Sequence, residues 1–212
     1  MAETGLLLQD LAIRLRDHEI LSLNASIAPG AVLSVMGPSG VGKSTLLAAI
    51  SGTLAPEFTL SGRVVLNGED LTYRPIEVRR IGVLFQDELL FPHLSVGANA
   101  AFGLPSRIKG PKARRAAVAS ALAEVGLDGF IDRDPDTLSG GQKARVALVR
   151  MLLSEPRALL LDEAFSRLDM DRRAQIRSLV FDAARGRGLP VVQVTHDRAD
   201  ADAAGGRVHM LD

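Results

Sequence analysis

The chain has no cysteine. Disulfides, zinc–thiolate centres and thiol catalysis are thereby excluded, in keeping with a reducing compartment. It has no excess of charge either. Lys+Arg and Asp+Glu number 25 each, so net charge supplies no field that would draw the chain to nucleic acid or anionic lipid. No apolar run approaches the roughly 18 residues of a membrane span. Leu6-Leu7-Leu8 near the N-terminus lacks the charged-then-apolar pattern of a secretory signal. The expectation is a soluble chain that stays where it is made and reaches a membrane only through a partner. Internal repeats and low-complexity tracts are also missing. At 212 residues, one large domain, or a domain with a sizeable subdomain, can bury about 70% of its unfolded surface.

What is present is dominated by Gly37-Pro38-Ser39-Gly40-Val41-Gly42-Lys43-Ser44-Thr45, which fits G-x-x-x-x-G-K-[ST]. Residues 31–36 before it read as a buried strand, and residues 44–50 after it as a helix. In that context successive backbone N–H groups turn inward around a di- or triphosphate, and the helix N-terminus adds its positive dipole end. Lys43 would reach the β/γ-phosphates and the Ser44 hydroxyl would hold Mg²⁺. A glycine-rich turn with a surface lysine is the plain alternative, and the strand–loop–helix setting argues against it.

Along the chain, Leu6-Leu7-Leu8, Leu11-Ala12-Ile13 and Ile20-Leu21 are short apolar pieces. The alternation Ile13-Arg14-Leu15-Arg16 predicts strands with one wet face, hence an antiparallel layer. Gly62-Arg63-Val64-Val65-Leu66 followed by Asn67-Gly68 reads as a further strand running into a hairpin turn, with 51–61 as a loop. Residues 81–85 form a core strand candidate ending in Gln86. From Asp87 to about Gly110 the apolar spacing is irregular. A helix is expected over about 112–125, where Val118, Leu122 and Val125 share a face; Lys112, Arg114 and Arg115 at its start read as a solvated face. Helices are also expected over 138–154 and 172–184, and strands over 158–161, 191–194 and 207–211.

Continuous apolar strands belong to parallel sheets covered on both faces, and ligands of such sheets sit beyond the carboxyl ends of the strands. Four candidate strands end in the phosphate loop, Gln86, Asp162-Glu163 and His196. A parallel sheet would project all four to one edge. Each group suits phosphoanhydride hydrolysis. Asp162 is a direct or second-layer Mg²⁺ ligand beside Ser44, and Glu163 can polarise the attacking water. Gln86 can bond the metal's water shell or that water, and His196 can contact the γ-phosphate. Taken singly, each also has a structural explanation as a loop start or strand end; their joint appearance favours the chemical one.

Leu138-Ser139-Gly140-Gly141-Gln142 opens the helix over 138–154. Ser139 and Gln142 have capping-box spacing, yet two glycines in a first turn cost about 1 kcal/mol each relative to alanine. They would allow close approach of bare backbone at a helix N-terminus, which is a second anion site. One nucleotide already has a phosphate loop, so the second site would serve a nucleotide held by another copy.

With these elements in order, the sequence resembles the ATP-binding subunits of ABC transporters over essentially its whole length. The matching motifs are Walker A (Gly37 to Thr45), the Q-loop glutamine Gln86, the signature Leu138-Ser139-Gly140-Gly141-Gln142 and Walker B (Ala158 to Asp162 with Glu163). The D-loop Ser166-Arg167-Leu168-Asp169 and the switch histidine His196 complete the set. The stretch from Gln86 to Val96 is similar to importer subunits for small solutes and ions, and the short length and D-loop to thiamine-like and uncharacterised importers. The resemblance implies an α/β P-loop NTPase with a mostly parallel RecA-like core sheet, an N-terminal antiparallel β layer and an inserted α-helical subdomain. Residues 1–86 and 156–212 would form core and layer, and about 87–155 the helical part. It further implies catalytic Glu163, His196 and Gln86, metal contacts from Ser44, Gln86 and Asp162, and ATP and Mg²⁺ as ligands. Partners would be a second copy in a head-to-tail ATP sandwich, membrane permease subunits gripped around 86–105, and an extracytoplasmic solute-binding protein, with no nucleic acid. The place would be the inner face of a bacterial-type cytoplasmic membrane.

Departures from the family pattern also carry expectations. Importer subunits stack adenine on an aromatic residue, but no aromatic precedes Phe58; Arg14, Leu15, Arg16 and His18 occupy that neighbourhood. Arginine can stack on a π face, and weaker discrimination of ATP from GTP is expected. Ala164 stands where proline commonly follows Walker B. With the chain ending at Asp212, a regulatory C-terminal domain is expected to be absent. Competing readings are an exporter or lipid-handling subunit, which shares the ATPase motifs, and a cytosolic ABC-type ATPase acting on ribosomes or DNA. A GTP-dependent switch lacks its Asn/Thr-Lys-x-Asp motif here.

Overall fold

The computed structural model describes residues 4–211. It divides into two compact units. Among the described residues the first comprises those up to 83, 157–163 and those from 181 on; the second comprises 84–156 and 164–180.

The first unit is built on two sheets. In the antiparallel one, β1 (Leu6–Leu15) lies between β2 (His18–Ile27) and β4 (Phe58–Leu66), and β5 (Glu69–Asp70) extends β4. Leu6, Leu8, Leu11 and Ile13 are buried on one face of β1 while Gln9, Asp10 and Arg14 are exposed. That is the half-wet pattern which alternation predicted. The register slips between Leu8 and Leu11 against β2 and between Gln9 and Ala12 against β4, with Asp10 at φ 47°. Such a bulge lets two residues face one. Opposite it, a Cβ on Gly62 would lie 2.2 Å from the Asp10 carbonyl oxygen, so glycine alone fits. β4 corrects one expectation. Residues 58–61 are strand and not loop, because Phe58 pairs with Leu15 and Leu60 with Ile13.

The second sheet has the order β6 (Ile81–Leu84), β7 (Ala158–Asp162), β8 (Val191–Thr195), β3 (Val32–Met36), β9 (Arg207–Met210). The β7–β8, β8–β3 and β3–β9 pairs are all parallel. β3 and β8 are buried at every residue, as expected of a parallel sheet covered on both faces. Helix α1 (Lys43–Ser51) packs on β1, β7 and β8, and one core joins Leu8, Ile13, Leu46, Ile50, Leu160 and Val194. A four-residue helix α2 (Ile76–Arg79) precedes β6, and α7 (Arg198–Ala204) follows β8.

The second unit contains α3 (Val96–Ala101), α4 (Pro111–Glu124), α5 (Gly140–Leu153) and the start of α6 (Met170–Gly186). α3 lies where the apolar spacing was irregular. It is shorter than two turns and shows no helical period, but Ser95 caps it by accepting from the Ala98 amide at 3.1 Å. Asn99, fully buried, holds the preceding loop by accepting from Phe91 N at 2.8 Å and donating to the Phe91 and Leu94 carbonyls at 3.1 Å. Val118 and Leu122 bury one face of α4. Its basic start is only partly a solvated face: Arg115 pairs with Asp132, while Arg114 donates to the Ile108 and Ala101 carbonyls.

Candidate functional site

β3 delivers the chain into the phosphate loop at Gly37. A Cβ there would lie 2.7 Å from the Leu211 carbonyl oxygen and 2.9 Å from Val41 Cγ1, so the close approach requires glycine. Gly40 and Gly42 take φ 86° and 101°, the left-handed region in which glycine pays no Cβ penalty. Gly42 is the N-cap of α1 and brings no side-chain cap. The first N–H groups of the helix are therefore left for another acceptor, and a phosphate is the acceptor they suit. Lys43 is buried, and its ammonium folds back to donate to the Gly37 and Pro38 carbonyls at 2.7 and 2.8 Å. Those bonds bring the cation across the loop, where phosphate oxygens can replace the carbonyls.

Parallel pairing of β3, β7 and β8 carries three of the four predicted strand ends to one edge. Ser44 Oγ donates to Asp162 Oδ1 at 3.4 Å. Burial, and then the neighbouring Glu163 charge, push the Asp162 carboxyl above its ordinary value, against the Ser44 hydrogen bond and Lys43, which lower it. A cation placed there would relieve the cost of a half-buried carboxylate. At 3.4 Å the two oxygens stand about half an ångström beyond the roughly 2.9 Å that separates neighbouring corners of a Mg²⁺ octahedron with 2.0–2.1 Å bonds. Among the described residues no cluster of three or more His, Cys, Asp or Glu occurs. Two protein oxygens, with water and phosphate completing the shell, is the donor set that suits Mg²⁺.

One residue further, Glu163 has φ 47°, a conformation costing a non-glycine residue about 1–3 kcal/mol. Its amide donates to the Val194 carbonyl at 3.1 Å, and its Oε1 lies 3.2 Å from His196 Nδ1. A strained glutamate held against a histidine beside a phosphate loop is where backbone strain is expected to serve function.

The remaining predicted residues fall in the second unit. Gln86 is exposed, two residues beyond β6. Ser139 caps α5, and the predicted capping box is complete: Ser139 Oγ accepts from the Gln142 amide at 3.4 Å, and Gln142 Oε1 from the Ser139 amide at 2.9 Å. Leu138 is buried. A Cβ on Gly140 would meet nothing within 4 Å, and one on Gly141 only the Arg172 side chain at 3.3 Å. Packing within the second unit therefore gives no reason for glycine at 140, and the bare N-terminus of α5 stands open. Asp169 accepts from the Arg172 amide at 3.1 Å at the start of α6, and Arg167 pairs with Asp87.

The ABC transporter family pattern matches residues 20–166. The chain belongs to the ABC transporter family. It is 48% identical over 199 residues to the Uncharacterized ABC transporter ATP-binding protein YnjD of Escherichia coli (strain K12), covering 93% of this chain and 91% of that one. It is 44% identical over 201 residues to the Thiamine import ATP-binding protein ThiQ of Jannaschia sp. (strain CCS1), covering 94% and 86%. With the Fe(3+) ions import ATP-binding protein FbpC of Escherichia coli (strain K12) it shares 39% over 191 residues, 90% of this chain and 54% of the longer relative. As an ATP-binding subunit of an ABC transporter it is an ATPase by family. No helix among the described residues is long and apolar enough to cross a membrane.

Two features of this ABC subunit escaped the sequence reading. Gly42 presses on β2: a Cβ there would meet Ile20 Cγ2 at 2.8 Å and Leu21 Cδ2 at 3.2 Å, which puts the β1–β2 hairpin beside the phosphate loop. In that hairpin Arg14 pairs with Glu19 at 3.3 Å, and Arg16 occupies the turn at φ 56°. Arg79 is the second. It is buried and gathers carbonyls at the far end of α1, and no local pattern marks such an arginine as interior.

Proposed function

We propose that this ATPase powers import of a solute through partner permease subunits, as a head-to-tail pair with two ATP molecules between the copies. The import-system names of the relatives support the direction of transport and a place beside membrane permease subunits. The observation that carries the chemistry is the Glu163–His196 pair, 3.2 Å apart, one residue from the Ser44–Asp162 pair.

Lys43 would exchange its two loop carbonyls for the β/γ-phosphates, and the backbone N–H groups over 37–45 would cradle them. Ser44 Oγ and the Asp162 carboxylate would hold Mg²⁺, with Gln86 assigned to its shell on motif position; when bound, the metal neutralises charge on the phosphate oxygens. Glu163 would orient and polarise a water whose oxygen bonds the γ-phosphorus as the bond to the ADP oxygen breaks. His196 would hold Glu163 and contact the γ-phosphate. Positioning and charge carry such a reaction. The open backbone at Gly140, with Ser139, Gly141 and Gln142, would close on the nucleotide of the second copy, and Asp169 would lie at the same interface. Exposed Phe85, Leu89 and Phe102 supply an apolar face for the permease around 86–105.

Glu163→Gln is expected to retain ATP binding, to lose nearly all hydrolysis and to accumulate as an ATP-bound dimer on size-exclusion chromatography. Turnover near the parent rate would overturn the role given to Glu163. Ser139→Ala should slow hydrolysis while the monomer's affinity for ATP holds; a large loss of monomer affinity would contradict a site shared between copies.

A further inference from the structure

β8 ends in a hydroxyl with two bonds. Thr195 Oγ1 donates to Asp200 Oδ2 at 3.3 Å and accepts from the Asp197 amide at 3.0 Å. The hydroxyl therefore spans His196, tying the strand on one side of it to the turn on the other. Thr195 and Asp200 are both 2% exposed, whereas the His196 side chain is 57% exposed. The reacting edge is wet and its support is dry.

The plain explanation is helix capping, but capping accounts for only part of this. Asp197 caps α7, accepting from the Ala199 amide at 2.8 Å, while the Asp200 carboxylate reaches back from the first turn to the Thr195 hydroxyl at the end of β8. Burying a carboxylate is costly unless its oxygens are bonded, and an apolar side chain at 200 would fill the space at no such cost. Valine at 195 would likewise match the shape of threonine and its strand preference. Valine at 195 removes the oxygen that ties the peptide on both sides of His196, and an apolar side chain at 200 removes the carboxylate that holds this hydroxyl in place. Glu163 is referred to the same strand end, since its amide donates to Val194 O.

We infer that Thr195 and Asp200 are positioning residues for hydrolysis: their hydroxyl–carboxylate bond sets the 195–197 backbone and so holds the His196 imidazole against Glu163. The inference rests on the proposed roles of Glu163 and His196. Neither Thr195 nor Asp200 touches substrate, so each acts through His196.

The test is a double-mutant cycle on the full chain, with ATPase rate against ATP concentration and thermal melting as readouts. Thr195→Val is expected to lower kcat at least tenfold, to leave KM for ATP within about twofold, and to be largely rescued by Thr195→Ser. In a His196→Ala background the same Thr195→Val change should add no more than about twofold, because a group acting through the imidazole has nothing left to position. Asp200→Leu, which removes the acceptor, runs the same cycle and carries it should Thr195→Val not fold. A full tenfold further loss in the His196→Ala background, or a parent kcat in Thr195→Val, overturns the inference. Glu163→Gln is assayed alongside. If it is inactive while Thr195→Val is at parent rate, only the positioning role fails; if it turns over ATP normally, the reading of the site itself fails.

Discussion

Replacing Arg79 by methionine should destabilise the protein severely, although Arg79 lies at the opposite end of α1 from the phosphate loop. The residue is 3% exposed, and burial lowers its guanidinium pKa. Its Nη1 donates to the Ala49 and Ile50 carbonyls at 2.9 and 2.8 Å, Nη2 to Thr72 O at 2.9 Å and Nε to Arg74 O at 2.8 Å. Two of these carbonyls belong to the last turn of α1, where the helix leaves acceptors unpaired and the dipole favours a cation. Each buried acceptor stranded by the loss costs about 1–3 kcal/mol, and loss of the dipole contact adds about 0.3–1 kcal/mol. Counting the two helix carbonyls and discounting for overlap gives about 3–5 kcal/mol, within the range reserved for breaking a buried network. For a chain of this size that is a fall in Tm of roughly 10 °C. Urea unfolding at equilibrium measures it directly. Arg79→Lys should recover only part, since one ammonium cannot reach four carbonyls arranged for a planar fork. An Arg79→Met variant within about 1 kcal/mol of the parent would refute the claim that these bonds hold the end of α1.

Other expectations follow from single observations. Asp70 accepts from the Thr72 hydroxyl at 2.5 Å, the Thr72 amide and Arg63, bonds that lower its pKa from 3.8 to about 2. Its share of stability is present above pH 3.8 and is lost as the pH falls through about 2; Thr72→Val should move its NMR titration back up, and an unshifted parent value would contradict the assignment. Gln193 Oε1 and Nε2 and the Ser34 hydroxyl opposite it are buried without a hydrogen-bond partner among the described residues. Gln193→Leu should therefore raise stability by about 1 kcal/mol in urea unfolding, and a loss of that size would show that the amide is satisfied. With no aromatic residue before Phe58 and Arg14 engaged by Glu19, ATP and GTP titrations under equal conditions should give affinities within about tenfold; a strong ATP preference would sink that expectation.

Much of the candidate site was legible because its chemistry is written locally. The phosphate loop needs glycine at 37, 40 and 42 for reasons of backbone geometry, and each has a matching constraint in the fold. Asp162, Glu163 and His196 were legible through their place after apolar strands, since a parallel sheet sends all such ends one way. Asn99 and Arg79 were not, because their bonding partners are carbonyls scattered through the chain and a carbonyl has no residue identity. The beginning of β4 was missed for a related reason: Phe58 and Leu60 alternate too briefly to announce a strand until β1 lies beside them.

By itself the sequence determined the glycine-rich loop over 37–45, the alternating wet face of β1, the parallel core and the capping box at Ser139, because each depends on spacing along one stretch of chain. Only the tertiary structure decided that Ser44 meets Asp162, that Glu163 adopts a strained backbone and lies against His196, and that Thr195 bonds Asp200 beneath them. Those facts join residues up to 118 positions apart, and it is sheet pairing, not spacing, that brings such residues within hydrogen-bonding distance.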